Sequence, residues 1–415
     1  MTKFQIQRTE SVTHQNVVLK MFEDTYYAYE FALAQMELST LLEQPKVPFG
    51  LPDGIVEVDV DVSALQTLVE RLAYFEKVGD QPTHQKALTE VQGAVAGNHA
   101  KAYMTHWIYP YKAKFHPQMV RAILNIIGAK KGDMLLDCMT GSGTLNVEAK
   151  LMGIDSIGID CLPIGVLAAK VKSNILDLST GEEILRTELP KVKPHLRSSE
   201  GELPFEKNIE NENVRDFFRL LYFETLSISR LPKRNFADVW KKISDFYIQT
   251  VEQSLKTIKQ LNIRLGTTEI ELGDARKLEL RDESVNHIVL SPPYAIAIDY
   301  VVRNTDQLGL MNYSTKEIYE QTIGLRGKGD ARITNYYTDL NQAITEMYRV
   351  MKPQGKCVIV IGNTRYDKKT LPTIDKTIDF AREAGFRLTH NLPKVSAGRF
   401  GLFRTERILI FQKGV

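Results

Sequence analysis

Beyond Pro110 the sequence predicts an α/β fold, an open and largely parallel sheet covered by helices on both faces. Three observations carry this. Short apolar runs rich in β-formers alternate with amphipathic helical stretches, the pattern of βαβ units. A glycine-rich turn, Thr140-Gly141-Ser142-Gly143, follows a short strand and opens a helix, where such sheets place their ligand crevice. Acidic residues, Asp160 and Asp274, stand at the ends of the next two strands. Residues 1–104 read as a helical N-terminal region, and residues 176–265 as a helical insertion dividing the core into 105–175 and 266–415.

Residues 17–43 are rich in helix formers and aromatics and end in the breaker stretch 44–50. A second helix is expected from Ser63, where Ser63 and Gln66 have capping-box spacing and Leu65, Leu68, Val69, Leu72 and Phe75 share a face. A helix over 118–127 leads to a strand at 134–137, a helix at 144–152 and a strand at 156–160, one βαβ unit. The next strand comes only at 268–272, and the polar, helical stretch between, punctuated by Pro190, Pro194 and Pro204, reads as an insertion. Strands at 285–290, 356–361, 387–391 and 407–411 complete the sheet, with helices near 339–351 and 372–384.

The chain has 415 residues and 43% apolar side chains, enough for a sizeable core. Lys+Arg number 53 against 51 Asp+Glu, so any polyanion contact must come from local clusters. The first eleven residues are polar and no apolar run approaches the ~20 residues needed to span a bilayer, so a cytoplasmic protein without membrane contact is expected. Cys138, Cys161 and Cys357 are too scattered for a disulfide framework or a zinc site, which predicts reduced thiols and no metal.

The glycine loop by itself is a weak signal. A nicotinamide-binding loop would carry a third glycine where Asn146 stands, and a phosphate-binding P-loop would carry Gly-Lys-Ser/Thr. Asp160, 23 residues after Asp137, suits a ribose diol, because its two oxygens can accept both hydroxyl protons; a strand-end turn aspartate has the same spacing. Asp274, followed by Ala275, could accept a proton from an adenine amine, although turn chemistry alone explains it better.

The tetrapeptide Ser291-Pro292-Pro293-Tyr294, directly after an apolar strand, is the most specific signal. A Pro-Pro step cannot continue a strand and holds the backbone extended with its carbonyls outward. A heteroaromatic amine is a poor nucleophile because its lone pair is delocalised. If Ser291 Oγ and the Pro292 carbonyl each accept an N–H, the nitrogen is drawn towards a tetrahedral arrangement and its lone pair can point at a methyl donor. Tyr294 would stack on a base rotated out of its duplex. A proline-rich loop after a buried strand is the plain alternative, outweighed by the position of this loop beside the glycine turn and two strand-end acids.

These motifs resemble the amino-methyltransferase family of bacterial DNA modification enzymes over roughly residues 105–413, interrupted by the insertion. The resemblance implies a Rossmann-like fold with a mostly parallel seven-stranded sheet and S-adenosylmethionine as cofactor, with no metal. The stretch 109–118 is similar to the segment that holds the methionine end, which assigns Lys114, Phe115, His116 and Pro117 to the cofactor. By the same resemblance the cofactor residues include Asp137, Met139, Thr140, Gly141, Ser142, Gly143 and Thr144, then Asp160 with Cys161, Asp274 with Ala275, and Ser291. Ser291, Pro292, Pro293 and Tyr294 become the catalytic loop, and the similar run 295–303 adds Asp299, Tyr300 and Arg303 to Tyr294 on the substrate side. Ile323-Gly324 is similar to a later element of the family.

In that family a leading serine accompanies cytosine N4 methylation, and a leading aspartate or asparagine adenine N6 methylation. Adenine N6, an RNA base amine and a silent scaffold subunit are the alternatives, in that order. Cytosine C5 chemistry needs a cysteine after a proline, and Pro293 stands there. Two features depart from the family pattern: Cys138-Met139-Thr140 in the cofactor loop, and the insertion.

Double-stranded DNA is the expected partner, in a restriction-modification setting with a cognate restriction endonuclease, and a homodimer is a further expectation. Two basic segments are the candidates for phosphate contacts, although an ordinary solvated surface explains each of them equally well. One holds Arg387, Lys394, Arg399, Arg404, Arg407 and Lys413 against the single acid Glu406; the other is the glycine-rich loop with Arg326 and Lys328. The insertion, with Lys233-Arg234 and a helix over 236–261, and the N-terminal region are the candidates for reading sequence or for dimerisation.

Overall fold

The structure is a computed structural model that describes residues 13–44, 54–91, 102–111, 114–177, 181–192, 203, 208–232, 234–295, 299–367, 369–397 and 403–414. The N-terminal region is not simply helical. It holds β1 (His14–Met21), α1 (Ala28–Leu41), β2 (Ile55–Asp61), α2 (Leu65–Arg71), β3 (Phe75–Val78), β4 (Gln81–Pro82) and α3 (His84–Glu90). The strands form an antiparallel sheet of order β2-β1-β3-β4. In β1 the buried residues Val17, Leu19 and Met21 alternate with more exposed ones, a period of two that the helix-rich composition of 17–43 obscures. The helix expected from Ser63 is a single 3₁₀ turn followed by the short α2, and its cap is Asp61, whose carboxylate accepts from Ser63 N at 2.8 Å. Phe75 belongs to β3 rather than to a continuing helical face.

The core runs α4 (Pro117–Ile126), β5 (Met134–Asp137), α5 (Thr144–Leu151), β6 (Asp155–Asp160) and α6 (Pro163–Asn174). The insertion follows as α7 (Gly181–Glu188), α8 (Glu212–Ser229) and α9 (Phe236–Gln260). Then come β7 (Thr268–Leu272), β8 (Val285–Leu290), α10 (Tyr300–Arg303), α11 (Thr305–Leu310), α12 (Thr315–Gln321), α13 (Gly329–Val350) and β9 (Met351–Gly362). The chain closes with a small hairpin, β10 (Thr364–Tyr366) and β11 (Lys369–Leu371), then α14 (Thr373–Ala384), β12 (Phe386–Ala397) and β13 (Phe403–Lys413).

The seven-stranded sheet has the order β12-β13-β9-β8-β5-β6-β7. Strands β7, β6, β5, β8 and β9 are parallel, and β13 is antiparallel to both β9 and β12. This is the Rossmann-like methyltransferase arrangement. The strand order reverses at β5, which pairs with β6 on one side and β8 on the other. A crevice opens at the carboxyl ends of strands around such a switch point, and the glycine loop, Asp160 and the Ser-Pro-Pro-Tyr loop all leave the sheet there.

Both faces are covered. One apolar cluster joins α6, α8 and α9, so the insertion is packed into the body of the fold, with Phe217, Phe218 and Tyr247 fully buried. A second places α1 and the N-terminal sheet against α4 and the sheet residues Val289, Val358 and Ile408. The third packs α13 and α14 on the other side. Buried polar bonds clamp the N-terminal region to α4: Glu37 accepts from Ala73 N, Tyr74 N and, at 2.8 Å, Asn125 Nδ2, while Gln118 Nε2 donates to Ala73 O. Among the described residues no helix is long and apolar enough to cross a membrane.

Candidate active site

β5 ends at Asp137, whose carboxylate accepts the Met139 N–H at 3.0 Å and starts the turn into the glycine loop. Gly141 and Gly143 have φ of +50° and +74°, a region that favours glycine. A Cβ on Gly143 would lie 2.8 Å from Ala169 Cβ, so this glycine lets α5 and α6 approach. Thr140 Oγ1 donates to Asn146 Oδ1 at 2.6 Å, so the residue standing where a nicotinamide loop needs glycine braces the turn from inside α5.

Asp160 accepts Gly141 N at 2.7 Å on one oxygen and Leu162 N at 2.9 Å on the other. It therefore performs the strand-end turn role and also faces the cavity, two readings that the sequence left open. Burial raises both carboxyls above their usual range, Asp137 to about 8 with the charge of Asp160 adding to the effect. Lys114 Nζ donates to His106 O at 2.8 Å, and burial lowers its pKa to about 8. The buried Ser142 Oγ has no hydrogen-bond partner among the described residues.

The catalytic-loop candidate leaves β8 on the opposite side of the switch point. Ser291 Oγ donates to the main-chain carbonyl of Val360 in β9 at 2.9 Å. Tyr294 OH donates to Glu406 Oε1 in β13, and the other oxygen of Glu406 is held by Lys394 of β12. Lys394 Nζ also lies 5.7 Å from the centre of the Tyr29 ring, on α1. Two neighbouring strands thus anchor the two ends of the tetrapeptide.

One cavity of about 870 Å³ joins these parts. It is lined by Lys114, Phe115, His116, Asp137, Met139, Thr140, Gly141, Ser142, Thr144, Asp160, Cys161, Asp274, Ala275, Ser291, Pro292, Pro293, Tyr294, Tyr300 and Arg303. These residues come from widely separated segments of the chain, and the sheet topology makes them neighbours. Asp274 reaches the cavity with its carboxylate already bonded to Arg276, at 2.6 Å between Nη2 and Oδ2. Tyr300 stacks on Tyr111 with ring centres 5.7 Å apart.

Other expected residues lie elsewhere. Pro117 opens α4 and Gly143 caps α5, each shaping the wall from behind. Asp299 caps α10 by accepting Val302 N at 2.9 Å, and it also accepts from Tyr319 OH. Arg326 is half-buried and donates at 2.6 Å to the fully buried Asp339. Lys328 is exposed just ahead of α13 and away from the cavity. Arg399 and the side chain of Arg404 lie outside the described residues.

Sequence reasoning missed Tyr27, Tyr29, Met119, Val360 and Glu406 as cavity residues, and assigned Lys394 to a phosphate patch. Only pairing between distant segments brings them in. Alternation along β12 and β13 was the available hint for Lys394 and Glu406, which face each other in register.

A family profile described as UPF0020, an RMKL-like methyltransferase domain, matches residues 108–176, which hold the glycine loop and Asp160. The chain is similar to the type II methyltransferase M.BsoBI of Geobacillus stearothermophilus, 22% identical over 401 residues that span 68% of this chain and 78% of the relative. It is also similar to the type II methyltransferase M.MjaII of Methanocaldococcus jannaschii, 35% identical over 147 residues that cover 35% of this chain and 27% of that one. Among solved structures, an S-adenosylmethionine-dependent methyltransferase from Methanosarcina mazei superposes with a TM-score of 0.34 and 12% identity, over 69% of this chain and 94% of that one.

Proposed function

We propose that this chain, which is similar to type II DNA methyltransferases, is an amino-methyltransferase that methylates the exocyclic amine of a base flipped out of duplex DNA, cytosine N4 in particular. The observation that carries this reading is the Ser291 hydroxyl. Its hydrogen is engaged by the Val360 carbonyl at 2.9 Å, so the oxygen is left to act as an acceptor. An acceptor is what an amine nucleophile needs at this place.

The cavity fits S-adenosylmethionine. Asp137 is a buried carboxyl and Asp160 a half-buried one, a cationic ligand would favour the ionised form of each, and Ser142 Oγ is a buried hydroxyl without a hydrogen-bond partner among the described residues. A Cβ on Gly141 would come 3.3 Å from Tyr111 Cε1, so glycine keeps the loop and that ring close together. Lys114, Phe115 and His116 would hold the methionine end, Asp160 the ribose, and Asp274 and Ala275 the adenine. When bound, the cofactor supplies a methyl carbon on a positively charged sulfur.

The residues of the chain do the rest. Ser291 Oγ and the Pro292 carbonyl would each accept one N–H of the target amine, localising the nitrogen lone pair. Tyr294, tethered through its hydroxyl to Glu406, presents its ring to the base face. Methylation would leave the nitrogen positively charged until one of its protons passes to water, and Ser291 Oγ and the Pro292 carbonyl, as acceptors of its N–H groups, would stabilise that charge. The base must leave the duplex to reach this depth, at a cost of a few kcal/mol offset by stacking and edge contacts. The leading serine, rather than aspartate or asparagine, supports cytosine N4 over adenine N6.

The test is transfer of a labelled methyl group to duplex DNA in competition with tRNA, followed by sequencing that separates 4-methylcytosine from 6-methyladenine. Label in DNA at 4-methylcytosine is the expected result. Label confined to tRNA, or none, would overturn the proposal, and 6-methyladenine would overturn the choice of base alone.

A further inference from the structure

We infer that Lys394, positioned by Glu406, reads the edge of the flipped base beside its reacting amine; this rests on the function proposed above. Lys394 and Glu406 face each other in the edge hairpin β12–β13. An ion pair on an edge strand is ordinarily solvated, yet these side chains are only 14% and 16% exposed, and both line the cavity that holds Ser291 and Tyr294. Withdrawing a charge pair from water is costly, and neither residue is needed to complete an apolar core.

The bonding pattern assigns the roles. Both oxygens of Glu406 are engaged, one by Tyr294 OH and one by Lys394, so the carboxylate acts as a bracket for its two neighbours. An ammonium carries three N–H donors and no acceptor. One goes to Glu406, and the Tyr29 ring, 5.7 Å away, flanks the ammonium and shields it from solvent. Lys394 lines the same cavity as Ser291 and Pro292, whose hydroxyl oxygen and carbonyl can only complement its remaining donor capacity by accepting from the same ligand.

That polarity matches one kind of base edge. In cytosine the amine-bearing carbon is followed by a ring nitrogen that accepts; in uracil or thymine the same two positions are a carbonyl and an N–H. Adenine repeats the cytosine pattern and hypoxanthine the uracil pattern. Acceptors for the amine plus a charged donor for the next ring atom select the first pattern and oppose the second, in which N–H would meet N–H. Lys394 is then a specificity-determining residue and Glu406 a positioning residue. The N-terminal region takes part as well, because Tyr29 closes this end of the cavity.

The experiment uses the full chain with sinefungin and a duplex carrying a modified site located by sequencing. Three versions differ only at the target position: cytosine, uracil, or no base. If adenine is the modified base, adenine and hypoxanthine replace the first two. The wild type is expected to prefer the amino base by about ten- to a hundredfold. K394M is expected to reduce that preference to within a few-fold while binding of the abasic duplex weakens far less, and K394R to keep most of it. E406Q, which keeps the shape of the bracket and removes its charge, is expected to fall between, and gives a second readout should K394M melt well below the wild type. An undiminished preference in a folded K394M or in E406Q would overturn the assignment. If the wild type methylates DNA while K394M keeps its preference, only this assignment falls; if the wild type methylates no DNA, the function proposed above falls with it.

Discussion

Ser291 Oγ sits 2.9 Å from the main-chain oxygen of Val360, a residue 69 positions away that reaches it because β8 and β9 are parallel neighbours. The carbonyl cannot donate, so the hydroxyl hydrogen is committed to it and the oxygen is available as an acceptor before any substrate arrives. S291A removes that acceptor and leaves the Pro292 carbonyl to act alone. Steady-state kinetics should show kcat lower by about a hundredfold or more, the size of effect seen when one positioned hydrogen-bonding group is lost from a reaction site, with a much smaller change in sinefungin affinity.

Tyr294 is tethered at its hydroxyl as well as packed at its ring. Y294F keeps the stacking face and loses the tether, so a loss of up to about tenfold in kcat/KM is expected; Y294A loses both and should cost about a hundredfold. Fluorescence of 2-aminopurine at the target position distinguishes the two, because the flipped base should remain unstacked from the duplex with Y294F and be less populated in that state with Y294A.

Asp137 gives the proposed cofactor site a pH dependence with a defined sign. Burial raises its carboxyl to about 8, well above the ordinary carboxylate value. A raised acid favours the folded state below its unfolded pKa, and that contribution is lost as pH climbs through about 8. A cationic ligand favours the ionised form. Sinefungin should therefore bind more tightly as pH rises from about 6 to about 8, and its gain in melting temperature should grow over the same range. D137N should flatten both profiles in calorimetry and thermal unfolding.

Gly143 has a φ of +74° and no space for a methyl group, since Ala169 would be 2.8 Å away. G143A combines an unfavourable backbone region with an overpacked helix contact, and a destabilisation of roughly 1–3 kcal/mol is expected from denaturant unfolding.

The parts of this molecule legible in sequence are those whose chemistry is local. The strand at 134–137, its glycine turn and the Ser-Pro-Pro-Tyr loop after 285–290 announce themselves within a few residues, because turn geometry and chain termination are short-range effects. Residues 17–21 were hidden because their alternation is short and adjoins the helix-rich segment that becomes α1. Arg326, in a glycine-rich basic loop, is also paired with the buried Asp339 on α13, a partner that local composition does not reveal. Glu406, the lone acid in a basic stretch, gains its meaning only when β13 is laid between β9 and β12, beside Lys394.

Nucleoside mass spectrometry of DNA incubated with S-adenosylmethionine and either the wild type or S291A is the most direct measurement. N4-methyldeoxycytidine accumulating with the wild type and falling to a small fraction with S291A is the expected outcome. An equal yield from both proteins, or no methylated nucleoside from the wild type, would contradict the account.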